Sequence, residues 1–281
     1  MNLFVNSNRQ LRDIWWVAVF FLVLASLTFP LILLSQYYHW EITMAHQVLI
    51  VIAASWICQL MRRKPLTELT GYLNAAWLQN LLKGFFIGSG MMVIPALFLF
   101  LGGWVKWESQ SQSIWTLLAA TGLFAGVALA EEFLFRGFIF QRLIASVGTW
   151  GAQLVLAAYF LLTHMNNPGM TGGIKVLAFV NIFAASLLFG LAFIRTKSLS
   201  VPIGIHFMAN WTQGTLLGFG VSGNENAGIL RPVFKQAPEW LTGGSFGLEA
   251  SLPGLIMVLI TLFMLYKWKP SPARLPEPGF I

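Results

Sequence analysis

The stretch AEEFLFRG at residues 130–137 places two adjacent carboxylates, Glu131 and Glu132, and one guanidinium, Arg136, inside an apolar run. This run extends from about residue 114 to about residue 135, which is long enough for a helix to cross a bilayer. An ionisable side chain in hydrocarbon costs ~2.5–3.5 kcal/mol on insertion scales. Each of the three side chains therefore needs a partner or a chemical role inside a membrane helix bundle.

The composition points to a polytopic membrane protein. Of the 281 residues, 57% are hydrophobic and only 10% are charged, whereas a soluble domain carries about 25% charged residues. Several tryptophans stand at the ends of apolar segments, as in the interfacial belts of membrane proteins. The single cysteine, Cys58, excludes an intrachain disulfide and any metal site built from several cysteines.

The hydropathy pattern predicts an all-α fold, a polytopic membrane helix bundle of about eight transmembrane helices. The predicted spans are 14–34, 43–61, 82–101, 114–135, 150–165, 176–195, 201–219 and 252–268. With an inner N-terminus, only four of the 17 basic residues flank outer ends, namely Lys106, Lys175, Arg231 and Lys235. This asymmetry predicts that both termini are cytoplasmic. The net charge of +7 is thus a topology signal and gives no indication of nucleic acid binding, because the basic residues are spread over every inner loop.

Two pairs of glycines at four-residue spacing indicate close helix contacts. They are Gly84 with Gly88, and Gly122 with Gly126. Packing is the expected role of both pairs. Because the second pair precedes Glu131 on the same predicted helix, we expect it to matter more for the polar cluster.

Glu131 and Glu132 cannot share one role, because neighbours on a helix point about 100° apart. Glu132 and Arg136 are four residues apart with the acid first, which is the better orientation for an ion pair within a helix. We therefore predict a structural ion pair between Glu132 and Arg136. Glu131 then remains as the carboxylate that is free to face a cavity.

Three further polar residues lie in later apolar segments. His164 ends an apolar run, and Phe160, one turn earlier, can pack against its imidazole. His206 and Asn210 are four residues apart and therefore share one face of the seventh predicted span. An imidazole and an amide on one face can donate hydrogen bonds to a developing oxyanion. Alternatively, the amide orients the imidazole, or both side chains hold helices together.

Two hydrolytic chemistries fit these side chains, and spacing alone does not choose between them. In one, Glu131, His164 and His206 bind a divalent metal, for which Zn²⁺ is the best match. In the other, Glu131 and His164 activate a water directly, and His206 and Asn210 stabilise the oxyanion. The absence of GxSxG near these residues, of paired membrane aspartates and of HExxH argues against other peptidase classes.

In this order, the residues resemble three motifs of the CPBP family, also called the Abi family, which includes the type II CAAX prenyl endopeptidases. EEFLFR at 131–136 matches EExxxR, FLLTH at 160–164 matches FxxxH, and HFMAN at 206–210 matches HxxxN/D. Each motif alone is weak, whereas three in order on membrane helices are specific. The resemblance covers about residues 112–220.

The resemblance implies an intramembrane endopeptidase. Glu131 and His164 would activate the water, and His206 and Asn210 would stabilise the tetrahedral intermediate. Family members have been called metalloproteases and also glutamate-dependent proteases, and the amide of Asn210, where a third strong ligand would sit, slightly favours the metal-free form. The expected partners are the lipid bilayer and a membrane protein or peptide substrate, prenylated or not. The expected location is a bacterial plasma membrane.

We expect three regions along the chain. Residues 1–111 hold the first three transmembrane helices and a cytoplasmic linker, 112–220 the protease-like helices, and 221–281 an outer loop, the last transmembrane helix and a proline-rich tail. Two alternatives to hydrolysis stay open: a membrane scaffold or bacteriocin-immunity protein, and a proton-coupled transporter, since buried Glu and His also form proton relays. Retention of every motif residue favours hydrolysis, and the lack of inverted repeats argues against a transporter.

The predicted spans place the site residues at conflicting depths. Glu131 and His206 lie toward the inner half of the bilayer, whereas His164 lies at the outer end of its span. Sixteen helical residues rise ~24 Å, which is too far for these side chains to meet across a straight helix normal to the bilayer. We therefore expect either a strongly tilted fifth helix that begins outside the core, or a deep site.

Overall fold

The computed structural model describes residues 3–5 and 10–269, and the chain is an all-α polytopic helix bundle with one small β-ribbon. In chain order the elements are α1 (Asp13–Tyr38), α2 (Met44–Met61), α3 (Thr67–Thr70), α4 (Ala75–Leu101), β1 (Val105–Ser109), α5 (Ile114–Glu132), a first π segment (Phe133–Ile139), α6 (Phe140–His164), α7 (Gly172–Thr196), α8 (Ser200–Trp211), a second π segment (Thr212–Leu216), β2 (Leu230–Phe234), α9 (Glu239–Thr242), a 3₁₀ turn (Leu248–Ala250) and α10 (Leu252–Lys267). The predicted proline-rich tail and both chain termini lie outside the described residues.

Five helical stretches in the described part of the chain are long and apolar enough to cross a membrane. They are Asp13–Tyr38, Met44–Met61, Ala75–Leu101, Ile114–His164 and Gly172–Thr196. The stretch Ile114–His164 contains two of the predicted spans, and the other two fall on the shorter α10 and on α8 with its π segment. The chain is thus an integral membrane protein, whereas the count of eight spans and the cytoplasmic termini stay predictions.

Large apolar side chains cover the outside of the bundle. Phe86 is 80% exposed, Leu101 76% and Leu22 68%. Monomeric soluble proteins rarely expose contiguous apolar patches of more than a few hundred Å². Only Phe20 is buried on α1, where it stacks on Phe138 with ring centres 5.4 Å apart. This helix therefore lies at the periphery, with most of its surface available to lipid.

The helices α4 and α8 approach each other at the first glycine pair. A Cβ on Gly88 would lie 2.3 Å from the Ile205 carbonyl oxygen, and one on Gly84 would lie 2.6 Å from that of Val201. At the second pair, Gly122 meets nothing within 4 Å, and a Cβ on Gly126 would meet the flexible side chain of Met44. The expectation that the second pair matters more is therefore wrong. It is Gly84 and Gly88 that set the position of α8.

The helical path through the EEFLFR motif turns back at Gly148, and this removes the conflict of depths. Gly148 has φ 77° and ψ 169°, a conformation that other residues rarely adopt. A second break lies at Gly137, with φ −72° and ψ −108°. Beyond it, Arg142 binds Asp13 at 2.8 Å near the start of α1. The chain thus continues well past Glu131 before it returns, and the membrane boundary of the fourth span stays a prediction.

The β-ribbon was not predicted from the sequence. Strands β1 and β2 pair antiparallel, with Trp107 opposite Pro232. The indole Nε1 of Trp107 donates a hydrogen bond of 3.0 Å to the carbonyl oxygen of Leu217. The ribbon therefore fastens the connection after α4 to the end of the second π segment, which continues α8.

Candidate active site

Three side chains from three helices meet inside the bundle. Glu131, near the end of α5, has its Oε1 3.9 Å from Nε2 of His164, the last residue of α6. Its Oε2 lies 3.8 Å from Nε2 of His206 on α8. Each gap is longer than a hydrogen bond and short enough for one water to bridge. The side chain of Glu131 is 26% exposed, so this carboxylate faces accessible space, as its position in the sequence predicts.

The imidazole of His164 is oriented by its own helix. Its Nδ1 donates a hydrogen bond of 2.8 Å to the Phe160 carbonyl oxygen, and the two rings lie 4.4 Å apart. A neutral imidazole that donates through Nδ1 has an unprotonated Nε2, which accepts a proton or a hydrogen bond. This Nε2 is the atom that faces Glu131.

Arg136 is fully enclosed and held by several groups at once. Its Nη1 lies 3.3 Å from Glu132 Oε1, and its Nη2 donates to the Ser186 carbonyl oxygen at 3.0 Å and to the Ser186 Oγ at 2.8 Å. The guanidinium also lies within 5.6 Å of the ring centres of Phe135, Phe160 and Phe189. Such partners compensate a cation removed from water.

Glu132 has a second partner that sequence reasoning missed. Its Oε1 accepts a hydrogen bond of 2.9 Å from Nδ1 of His206, whose ring stacks on Phe189 with centres 4.9 Å apart. The partners Glu132 and His206 are 74 residues apart in sequence, so no local spacing links them. Glu132 Oε2 is buried and has no hydrogen-bond partner among the described residues. This carboxylate therefore orients His206 as well as facing Arg136.

Asn210 lies one turn beyond His206 on α8 and is partly exposed. Its side chain makes no hydrogen bond within the described part of the chain. The structure thus brings Glu131, His164 and His206 together through direct approaches, and Asn210 only through the shared face of α8.

The helix α5, which carries Glu131 and Glu132, and the helix α8, which carries Asn210, both continue into a π segment. The first π segment follows Glu132, and the second follows Trp211. Single π turns inside α-helices occur frequently at functional sites. Here one begins directly after Glu132 and the other two residues after Asn210.

Sequence reasoning also missed a third acid close to the histidines. Glu249 lies in the 3₁₀ turn between α9 and α10, outside the membrane-spanning helices. Burial raises the pKa of Glu249, and this outweighs the hydrogen bonds from Ser222, which lower it. The only signal in the sequence is an isolated acid just ahead of the last apolar span.

The three side chains named for a zinc site are not at zinc-coordinating distances in this arrangement. Ligand atoms of a tetrahedral zinc with bonds of ~2.0–2.1 Å lie about 3.3–3.4 Å apart. The Glu131 oxygens are instead 3.9 Å from His164 and 3.8 Å from His206. Among the residues that the structure describes, no group of three His, Cys, Asp or Glu side chains is placed to hold a metal ion. The zinc alternative therefore lacks support.

Comparison with known families gives one match. Residues 110–212 match the family described as "Type II CAAX prenyl endopeptidase Rce1-like". The matched residues include the whole predicted site, namely Glu131, Glu132, Arg136, His164, His206 and Asn210. No curated protein and no solved structure matches the chain. The resemblance to the CAAX proteases that the three motifs indicate is thus confirmed by an Rce1-like match over residues 110–212.

Proposed function

We propose that the chain is a CAAX-type intramembrane endopeptidase that hydrolyses a peptide bond in a membrane protein or peptide. One observation carries the proposal: the Glu131 carboxylate lies 3.9 Å from His164 Nε2 and 3.8 Å from His206 Nε2, inside a membrane helix bundle. The Rce1-like match over residues 110–212 supports the same class of enzyme. The substrate meets the site within the bilayer, and a bacterial plasma membrane is the proposed location.

The first step uses Glu131 and His164. A water bridging Glu131 Oε1 and His164 Nε2 attacks the carbonyl carbon of the scissile bond, and the Glu131 carboxylate accepts the proton that the water loses. His164 Nε2 accepts a hydrogen bond from the same water, since its Nδ1 proton is committed to the Phe160 carbonyl. The electron pair of the C=O bond moves to oxygen and gives a tetrahedral oxyanion.

The second pair of residues stabilises this oxyanion. Glu132 accepts a hydrogen bond of 2.9 Å from Nδ1 of His206, and its negative charge supports a protonated imidazole. Nε2 of the protonated His206 then donates a hydrogen bond to the oxyanion. The Asn210 amide supplies the second hydrogen bond from the same face of α8. The proton held by Glu131 then passes to the amide nitrogen, and the oxyanion electron pair reforms the C=O bond as the C–N bond breaks. The new carboxylic acid gives its proton to the amine, which leaves a carboxylate and an ammonium product.

The proposal is tested by comparing membrane proteomes of cells that produce the native protein or Glu131→Gln. We expect precursor proteins or peptides to accumulate in the membranes of the variant cells, since the amide cannot accept the water proton. Glu225→Gln is the control, because Glu225 is an exposed carboxylate in the loop between α8 and β2. Identical peptide profiles for the native protein and Glu131→Gln would contradict the proposal.

A further inference from the structure

Glu249 joins three segments beside the two histidines. It lies outside residues 110–212, which match the family. Its Oε1 accepts hydrogen bonds from the backbone N–H of Ser222 and from the Ser222 hydroxyl, the latter at 3.2 Å. The amide of Gln213 approaches the same oxygen at 3.5 Å. One carboxylate oxygen thus gathers donors from the second π segment and from the loop that follows it.

Gln213 connects this cluster to the proposed oxyanion residues. It lies three residues after Asn210, on the π segment that continues α8. It is buried, and its Nε2 also donates a hydrogen bond of 2.6 Å to the Gly220 carbonyl oxygen. A Cβ on Gly247 would lie 2.0 Å from that same oxygen and 2.7 Å from the Gln213 amide. The backbone around Gly220 and Gly247 therefore packs closely against the Gln213 side chain.

The loop after His164 rests on the same segments. A Cβ on Gly223 would lie 1.7 Å from the Pro168 carbonyl oxygen, and one on Gly169 would lie 2.7 Å from the Ser245 hydroxyl. The loop that follows His164 and the π segment that follows Asn210 thus touch adjoining parts of one cluster. The cluster therefore lies between the chain segments that follow the two histidines.

We propose that Glu249 is a positioning residue of the active site: by holding Ser222 and Gln213, it fixes the end of α8 against the loop that follows His164. The inference rests on the proposed function, which it deepens by adding a residue from the chain region outside the family match. The surroundings of Glu249 support this role, since a carboxylate partly withdrawn from water opposes folding unless hydrogen bonds such as those from Ser222 compensate it.

Glu249→Ala, Glu249→Gln and Gln213→Ala test the proposal in the full-length protein reconstituted in lipid vesicles, with a fluorogenic farnesylated CAAX peptide as the probe. Glu249→Ala removes the acceptor, and we expect kcat to fall ~10-fold with KM changed less than ~2-fold, since misplacement of catalytic groups acts on the chemical step. Glu249→Gln keeps one acceptor oxygen for the Ser222 N–H and restores kcat to within ~3-fold of the native value. Gln213→Ala slows turnover as well, and combining it with Glu249→Ala adds no further loss.

The matched control is Glu225→Ala, which removes an exposed carboxylate three residues from Ser222 and leaves kcat unchanged. Native kcat in Glu249→Ala would overturn the proposal, and so would a loss confined to KM. A Glu249→Gln protein as slow as Glu249→Ala would also contradict it, because the accepting oxygen would then not be what matters.

Hydrogen exchange separates this inference from the proposed function. In Glu249→Ala, amide exchange over residues 211–224 should rise, whereas exchange over residues 114–132 should stay at the native level. This readout needs no substrate. If the native protein fails to cleave any probe, the proposed function fails while the exchange still tests Glu249. Unchanged exchange over 211–224 would overturn the positioning role even in an active protease.

Discussion

Replacing Gly88 by alanine perturbs the contact that positions His206. The added Cβ would lie 2.3 Å from the Ile205 carbonyl oxygen and 2.9 Å from the Ala209 backbone nitrogen, whereas ordinary contacts begin at 3.4 Å. Both neighbours are backbone atoms of α8, so no side chain can rotate away. The helices α4 and α8 must separate by about 1 Å, and such overpacking typically costs ~1–3 kcal/mol of folding free energy.

The same displacement reaches the site, because Ile205 directly precedes His206. A shift of about 1 Å would break the 2.9 Å hydrogen bond between His206 and Glu132 or draw the imidazole from its place beside Glu131. Misplacement of this size at a catalytic group can cost ~10²-fold in rate. We therefore expect Gly88→Ala to melt at lower temperature and to cleave ~10²-fold more slowly than the native protein.

Gly122→Ala is the matched control, since a Cβ there meets nothing within 4 Å. Alanine in a helix interior is favoured over glycine by ~1 kcal/mol, so this variant should be as stable as the native protein or more so. Thermal unfolding in detergent and turnover in vesicles measure both variants. A Gly88→Ala protein with the stability and rate of Gly122→Ala would refute the reasoning.

Three further outcomes are expected. Arg136→Ala removes the guanidinium beside the buried Glu132 carboxylate and should lower the free energy of unfolding by ~3–5 kcal/mol, measured by unfolding in detergent, with partial recovery in the double variant Glu132→Gln, Arg136→Gln. Burial of Glu68 opposes its ionisation, yet the Gln59 hydrogen bond and the charges of Arg62 and Arg142 lower its pKa. The native protein should therefore melt at a higher temperature than Glu68→Gln, and this difference should be largest above about pH 5. It should disappear as the pH falls through the lowered pKa of Glu68 in the folded state. Dialysis against a chelator should leave cleavage at its starting rate, since in the proposed step the Glu131 carboxylate takes the water proton without a metal, and reversible loss with one zinc per chain would contradict this.

The helices, and the three motifs that carry the site residues, could be predicted from the sequence because both depend on local patterns. Apolar runs of sufficient length mark spans, and the i, i+4 spacing of Glu132 and Arg136 brings those side chains into contact whatever lies around them. The family motifs likewise name Glu131, His164 and His206, which the structure brings together. Each of these inferences depends on residues that lie close together in one helix or in one family motif.

The remaining features depend on contacts between distant segments. Gly148 carries the turn that brings His164 back to Glu131, yet an isolated glycine in an apolar run looks the same at a turn, a kink or a packing contact. The two glycine pairs have identical spacing, and only the fold decides that Gly88 faces the α8 backbone and Gly122 faces open space. Glu249 contacts Ser222 and Gln213 through loops without a periodic pattern.

The central claim is that Glu131 is the base that activates the attacking water. It is tested most directly by the turnover of purified Glu131→Gln in vesicles with the farnesylated CAAX peptide, with folding checked by size exclusion. The account predicts a folded protein whose turnover is lower by ~10²–10⁴-fold, because the amide keeps the size of the carboxylate and cannot take the proton. A folded Glu131→Gln protein that cleaves at the native rate would contradict the account.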